Sequence, residues 1–170
     1  MELTFSRCRP NDFEMYYMLR CDEENIVWTG HTKKPDKDNL KQWFLSQLNR
    51  NDRIMFIVKD NESDDIIGYL YLDIVEDNDT VETSYGVNSN YKGRGVGTKI
   101  VKFALEYTRN QLKYINEVAS WILEDNIGSI KVVINNGFYE TIDSKIVFIE
   151  SFNGYKKMKK YIYKINDIGR

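Results

Sequence analysis

The sequence predicts an α/β fold, a mixed and mostly antiparallel sheet of about seven strands with four helices, and three observations predict it. Runs of β-branched and aromatic residues, some of them alternating with a period of two, interleave with segments of helical period in the order β-α-α-β-β-β-α-β-α-β-β. Two polar turns, "DNESDD" and "EDND", separate three consecutive central strands, the pattern of an antiparallel meander. A glycine-rich turn then joins the last of these strands to a strongly amphipathic helix, so a crossover follows the meander.

The elements follow in order. "LTFSRCR" alternates Leu3 and Phe5 against polar neighbours and is ended by Pro10. Asp12 is placed to cap a helix in which Phe13, Tyr16, Tyr17 and Leu19 recur at helical spacing up to about Cys21. "DEENIVWTGHTKK" reads as a loop. Pro35 suits the first turn of a second helix, capped near Lys34 or Asp36, with Leu40, Trp43, Phe44 and Leu48 on one face. The strands "RIMFIVK", "IIGYLYLDIV" and "TVETSYGV" come next. In the last, Val81, Thr83, Tyr85 and Val87 alternate against Glu82, Ser84 and Gly86. A helix from about Gly95 to Leu112, a strand at "YINEVASWIL" and a short helix with Ile127, Ile130, Val133 and Ile134 follow. Gly137 stops that helix in a left-handed cap, and Asn153-Gly154 turns a terminal hairpin.

Composition bounds the function. The 170 residues suit one domain spanning 1–170, and 42% apolar with 29% charged residues is ordinary for a folded soluble chain. A net charge of -2 lacks the basic footprint of a nucleic-acid binder, so no nucleic-acid partner is expected. Two cysteines and a single histidine offer no disulfide framework and no metal-ligand spacing, so no metal is expected. Without an apolar leader or a long apolar run, a cytoplasmic location and no membrane partner are expected.

The stretch "NYKGRGVGTKIVKFALEY" carries the chemistry. Glycines between a strand and a helix leave backbone N–H groups unobstructed where the helix dipole adds positive character, which makes an anion cradle. A Walker A loop requires G-x-x-x-x-G-K-[ST], which "GRGVGTK" does not supply. A dinucleotide fingerprint would need a third glycine at Thr98 and an earlier place in the chain.

Lys92-Gly93-Arg94-Gly95-Val96-Gly97 resembles the Q/R-x-x-G-x-G/A pyrophosphate loop of the GNAT superfamily of acyl-CoA N-acyltransferases, with Lys92 where Gln or Arg is usual. "EDNIGSIKVVINNGF" resembles that family's second signature through Asn126, Gly137 and Phe138, and the strand order is similar along nearly the whole chain. The resemblance implies a sheet splayed at its central strands and acetyl-CoA as co-substrate. The pyrophosphate would lie on the amides of Gly95, Val96, Gly97 and Thr98, and the pantetheine along Val87, Asn88 and Ser89. Asn126 and Ser129 would touch the donor, although Asn126 as a plain helix cap would look the same.

For the chemistry, the resemblance implies direct attack of a neutral amine on the thioester, with Glu82 on the central strand as the base. An ion-paired strand residue is the alternative for Glu82. The family's acid tyrosine is replaced by Val133, which leaves Tyr139 or unassisted thiolate departure. The "N-x-x-S-x-x-V" version, Asn126, Ser129 and Val132, is similar to the branch with ribosomal-protein N-terminal, polyamine and amino-sugar or aminoglycoside acetyltransferases. Acceptor choice is expected in the loop bearing Trp28 and His31 and in the last hairpin. The expected acceptor is a primary amine of a small molecule, an amino sugar or sugar nucleotide first and a protein N-terminus second, handled by a monomer or homodimer. A catalytically silent acyl-CoA sensor is the competing class.

Overall fold

A computed structural model describes residues 1–63, 65–75 and 79–165. Its centre is one seven-stranded sheet in the order β1-β2-β3-β4-β5-β7-β6. The strands are β1 (Leu3–Arg7), β2 (Arg53–Asp60), β3 (Ile66–Ile74), β4 (Thr80–Val87), β5 (Glu117–Leu123), β6 (Tyr139–Ile149) and β7 (Gly154–Lys164). Every neighbouring pair is antiparallel except β4 and β5. The parallel pair follows from α4 (Val96–Gln111), which carries the chain back to the starting end of the sheet. Polar residues 76–78, expected as part of a turn between β3 and β4, lie outside the described residues.

Both faces of the meander are covered, so its strands are apolar on both sides. On β2 and β3, Met55, Ile57, Tyr69 and Tyr71 face α1 (Phe13–Arg20) and α3 (Lys37–Leu48), where Phe13, Tyr16, Leu19, Leu40 and Phe44 pack on them. The alternate residues Ile54, Phe56, Val58, Leu70 and Leu72 turn to α4, against Val96, Ile100 and Ala104. Beyond β4, Val101 and Leu105 of α4 and Val133 of α5 (Ile127–Asn135) pack with Val118, Ile122, Phe138 and Tyr161.

Three local expectations change. "EENIVW" is a helix, α2 (Glu23–Trp28), because the Asp22 carboxylate accepts the Asn25 N–H at 3.1 Å and caps it. Asp12 does not cap α1 with its side chain; its carboxylate takes the Arg9 N–H at 2.7 Å and closes a short 3₁₀ turn, Pro10–Asp12, that leads into the helix. The strand read from Tyr114 begins at Glu117, since Ile115 N–H bonds back to Leu112 in a turn. Of the two caps expected for α3, Asp36 is used, accepting the Asn39 N–H at 2.9 Å. Among the described residues no helix is long and apolar enough to cross a membrane.

Candidate active site

Strands β4 and β5 begin as neighbours and then part. Their paired registers are Thr80–Glu117, Val81–Val118 and Glu82–Ala119, and none follows although both strands continue. The opening therefore starts beside Glu82. The Asn88 N–H bonds to Ile67 O at 2.8 Å, so Val87 and its partner Gly68 form a non-hydrogen-bonded pair of the β3–β4 ladder. By alternation, the backbone N–H and C=O of Thr83, Tyr85 and Val87 point away from β3 and into the opening. Two of these carbonyls are taken by side chains. The Ser120 hydroxyl donates to Thr83 O at 3.2 Å, and Asn25 Nδ2 donates to Val87 O at 3.2 Å. The N–H groups of Tyr85 and Val87 thus line a strand edge that no strand covers.

At the far end of this edge lies the glycine turn. Gly93 and Gly95 have φ of +73° and +78°, and nothing stands within 4 Å of the position a Cβ would occupy on either. Gly95 is the N-cap residue of α4, and the first intrahelical bond, Lys99 N–H to Gly95 O at 3.1 Å, leaves the N–H groups of Val96, Gly97 and Thr98 without an intrahelical partner. Gly97 is needed for a different reason: a Cβ there would stand 3.1 Å from the Tyr85 ring and 3.2 Å from Val132 Cγ2. The open space, free amides and helix N-terminus fit a diphosphate.

The second helix of the opening, α5, is capped by Asn126, whose Oδ1 accepts the Ser129 N–H at 3.1 Å. Tyr85 Oη reaches across to Ser129 Oγ at 3.5 Å, so β4 and α5 touch over the gap. Burial raises the Tyr85 pKa and outweighs the Ser129 contact, which acts the other way.

Other expected donor contacts are already engaged within the protein. Ser89 N–H and Oγ both donate to Asp22 Oδ2, at 3.0 and 2.6 Å, while Asn88 accepts the Asn90 N–H on its own side chain. The free strand edge therefore ends at Val87 rather than extending to Ser89. Lys92 Nζ is held by both carboxylate oxygens of Glu24 at 2.7 and 2.9 Å, and Arg94 lies 5.1 Å from the Tyr91 ring centroid. Helix α2 is thus tied to the glycine turn by Asp22 and Glu24 and to β4 by Asn25. The sequence offers Asp22 and Glu24 only as acids of a loop, solvated or facing a cationic amine, and gives Asn25 no role; Asp22 as a helix N-cap was the available signal.

On the α1 and α3 face of β4, Glu82 Oε1 accepts the Trp121 indole N–H at 3.0 Å, and Lys145 Nζ sits 4.3 Å from that ring's centroid. Above them α2 and the β6–β7 hairpin tip meet. Ser151 Oγ donates to Val27 O at 2.7 Å, and the Trp28 and Phe152 rings are 5.6 Å apart. Trp28 thereby belongs to an arch that joins α2 to the β6–β7 hairpin tip, whereas His31 closes α2 through its backbone N–H to Ile26 O and keeps an exposed side chain. Tyr139 is not brought to this place. It begins the edge strand β6, half exposed, at the end of the row Glu82–Ala119–Ile162–Tyr139. Three strand spacings separate it from Glu82, about 14 Å. Burial and the Asp12 charge push the Cys8 thiol up to about 12, so it is no acyl-accepting nucleophile at neutral pH.

Known proteins share this fold. A family model described as acetyltransferase (GNAT) domain matches residues 2–139. A spermidine N-acetyltransferase from Vibrio cholerae, solved with CoA and spermine, superposes with a TM-score of 0.83 at 18% identity, covering 95% of each chain. A protein assigned as a phosphinothricin N-acetyltransferase superposes with a TM-score of 0.78 at 17% identity, covering 98% of this chain and 100% of its own. A search of curated proteins gives no match. The chain belongs to the GNAT acetyltransferase family: it is an N-acetyltransferase with acetyl-CoA as its co-substrate.

Proposed function

We propose that the protein acetylates a primary amine of a small molecule by direct attack in a ternary complex, with Glu82 as the base. The observation that carries this reading is the position of Glu82 at the last paired register of β4 and β5, where the uncovered strand edge begins. Acetyl-CoA supplies an activated acyl group whose thiolate is a good leaving group. The N–H groups of Val96, Gly97 and Thr98 would hold its diphosphate, with Gly93 and Gly95 keeping that place open and Arg94 adding positive charge, while Lys92 would have to leave Glu24 to do the same. The N–H groups of Tyr85 and Val87 would pair with its amide arm, and the Val87 N–H is the candidate oxyanion donor. Asn126 and Ser129 would border the same arm from α5.

Glu82 then has one task, to remove a proton from the bound ammonium or from the attacking amine through water. Trp121 fixes the carboxylate that does so. Solved neighbours named for spermidine and phosphinothricin support an amine acceptor of small size. An amino sugar remains within this class, as does a polyamine or amino acid. Tyr139 is not carried forward as the acid, given its distance from Glu82. CoA-thiol release measured over a panel of small amines tests the reading; release with none of them, in protein that binds acetyl-CoA, would leave the silent sensor.

A further inference from the structure

Arg20 ends α1 with a charge that no carboxylate among the described residues answers. Its Nη1 donates to Tyr16 Oη at 2.8 Å, its guanidinium lies 5.9 Å from that ring's centroid, and its Nε is buried without an acceptor among the described residues. The acid nearest in sequence, Asp22, commits Oδ1 to the Asn25 N–H and Oδ2 to Ser89. A cation withdrawn from water without a counter-charge is costly, and such a group usually has a partner.

The groups around Arg20 are hydroxyls. Tyr16 Oη is hydrogen-bonded to Tyr71 Oη, and Tyr69 packs edge-on to Tyr16 and stacked on Tyr71. Burial raises the pKa of all three phenols, Tyr69 to about 12, so at neutral pH they can donate hydrogen bonds but cannot neutralise a guanidinium. The cluster borders the acceptor side. Tyr71 is the cross-strand partner of Ser84 and Tyr69 that of Gly86, on the β4 face that also bears Glu82. Tyr69 presses on β4 so closely that a Cβ at Gly86 would stand 2.4 Å from its ring.

We propose that Arg20, braced by the buried Tyr16–Tyr71 hydroxyl pair, is an anion subsite for the acceptor, and that the acceptor is a primary amine that also carries a carboxylate or a phosphate. This rests on the acetyltransfer reading of the cleft and narrows it. An amino acid or a phosphorylated amino sugar has such a group and a polyamine has none. A guanidinium pairs well with carboxylates and phosphates, and the anion supplies the counter-charge that none of the described residues gives.

The test is calorimetric titration of the CoA-saturated protein with matched pairs, γ-aminobutyrate against n-butylamine and a glucosamine phosphate against glucosamine, with spermidine alongside. In at least one pair the member that bears the carboxylate or phosphate is expected to bind about tenfold or more tightly than the amine that lacks it. Which pair shows it separates carboxylate from phosphate. Arg20→Gln should bring that ratio close to one, and Arg20→Lys should keep part of it. Tyr71→Phe, which keeps the charge but removes the hydroxyl that braces Tyr16 and through it Arg20, should lower it and serves where Arg20→Gln fails to fold. Equal or tighter binding by the wild type of the amine without the anionic group, or of spermidine, or a ratio unmoved in Arg20→Gln, would overturn the subsite. Turnover of the same panel is read separately: anionic amines that bind through Arg20 yet are never acetylated would support the subsite and refute the acetyltransfer reading beneath it.

Discussion

Glu82 and Trp121 meet across the seam of the sheet, the indole N–H donating to Glu82 Oε1 at 3.0 Å two residues past the last paired register of β5. The bond ties together two strands that no longer share a ladder, and it holds a carboxylate at the point where the uncovered edge of β4 begins.

Glu82→Gln should therefore fold normally and lower kcat about a hundredfold, the usual scale for loss of a positioned base. Trp121→Phe keeps the carboxylate but frees it, and a loss nearer tenfold is expected. Steady-state kinetics with a saturating amine measures both; equal rates in wild type and Glu82→Gln would return Glu82 to a structural role.

The glycine turn separates space from strain. Gly95→Asp places a carboxylate at the N-terminus of α4 and also strains a residue with φ of +78°, so acetyl-CoA affinity by calorimetry should fall at least about tenfold. Gly97→Val should weaken binding by another route, since its side chain must displace Tyr85 and Val132. Unaltered affinity in both variants would remove the donor from this turn.

Gly86→Ala tests the packing between the tyrosine cluster and β4. Its Cβ would lie 2.4 Å from Tyr69 Cε1 and 2.6 Å from Asn25 Oδ1, in a core where overpacking costs about 1–3 kcal/mol. A Tm lowered by about 5 °C is expected in a calorimetric scan. A Tm within a degree of wild type would show that Tyr69 and Asn25 yield easily.

Asp22 gives a pH dependence with a definite sign. Burial is the largest single influence and raises its pKa, but the Ser89 hydroxyl and N–H, with the N–H groups of Asn25 and Glu24, together outweigh it and hold the carboxyl below 3.8. A folded-state pKa below the unfolded value stabilises above the unfolded value, and the contribution is lost as pH falls through the folded one. Wild type should thus lose more stability than Asp22→Asn between neutral pH and about pH 3. Urea midpoints at both pH values check this, and equal losses would mean that the Ser89 clamp contributes nothing.

The glycine turn was legible because open positive-φ positions at a helix entrance have few sequence solutions, and Gly93 and Gly95 supply them. Continuous apolar, β-rich runs marked β2 and β3 because both of their faces are buried, and alternation marked β4. Helix α2 was not legible by period, because six residues make too few turns to show one. The Arg20 cluster was hidden differently. Tyr16, Arg20, Tyr69 and Tyr71 come from a helix and a strand nearly fifty residues apart, and only the packing of α1 on β3 brings them together. Tyr139 looked suitable by chemistry, but the strand order carries it to the sheet edge. Asn126 is used as a cap, a role that sequence and donor binding share.

The most direct measurement is CoA-thiol release from acetyl-CoA over a panel of primary amines, run side by side on wild type and Glu82→Gln with acetyl-CoA affinity determined for each. Amine-dependent release by the wild type is expected, cut about a hundredfold in Glu82→Gln while acetyl-CoA affinity stays the same. Acetyl-CoA binding with no release on any amine, or undiminished release in Glu82→Gln, would contradict a catalytic seam centred on Glu82.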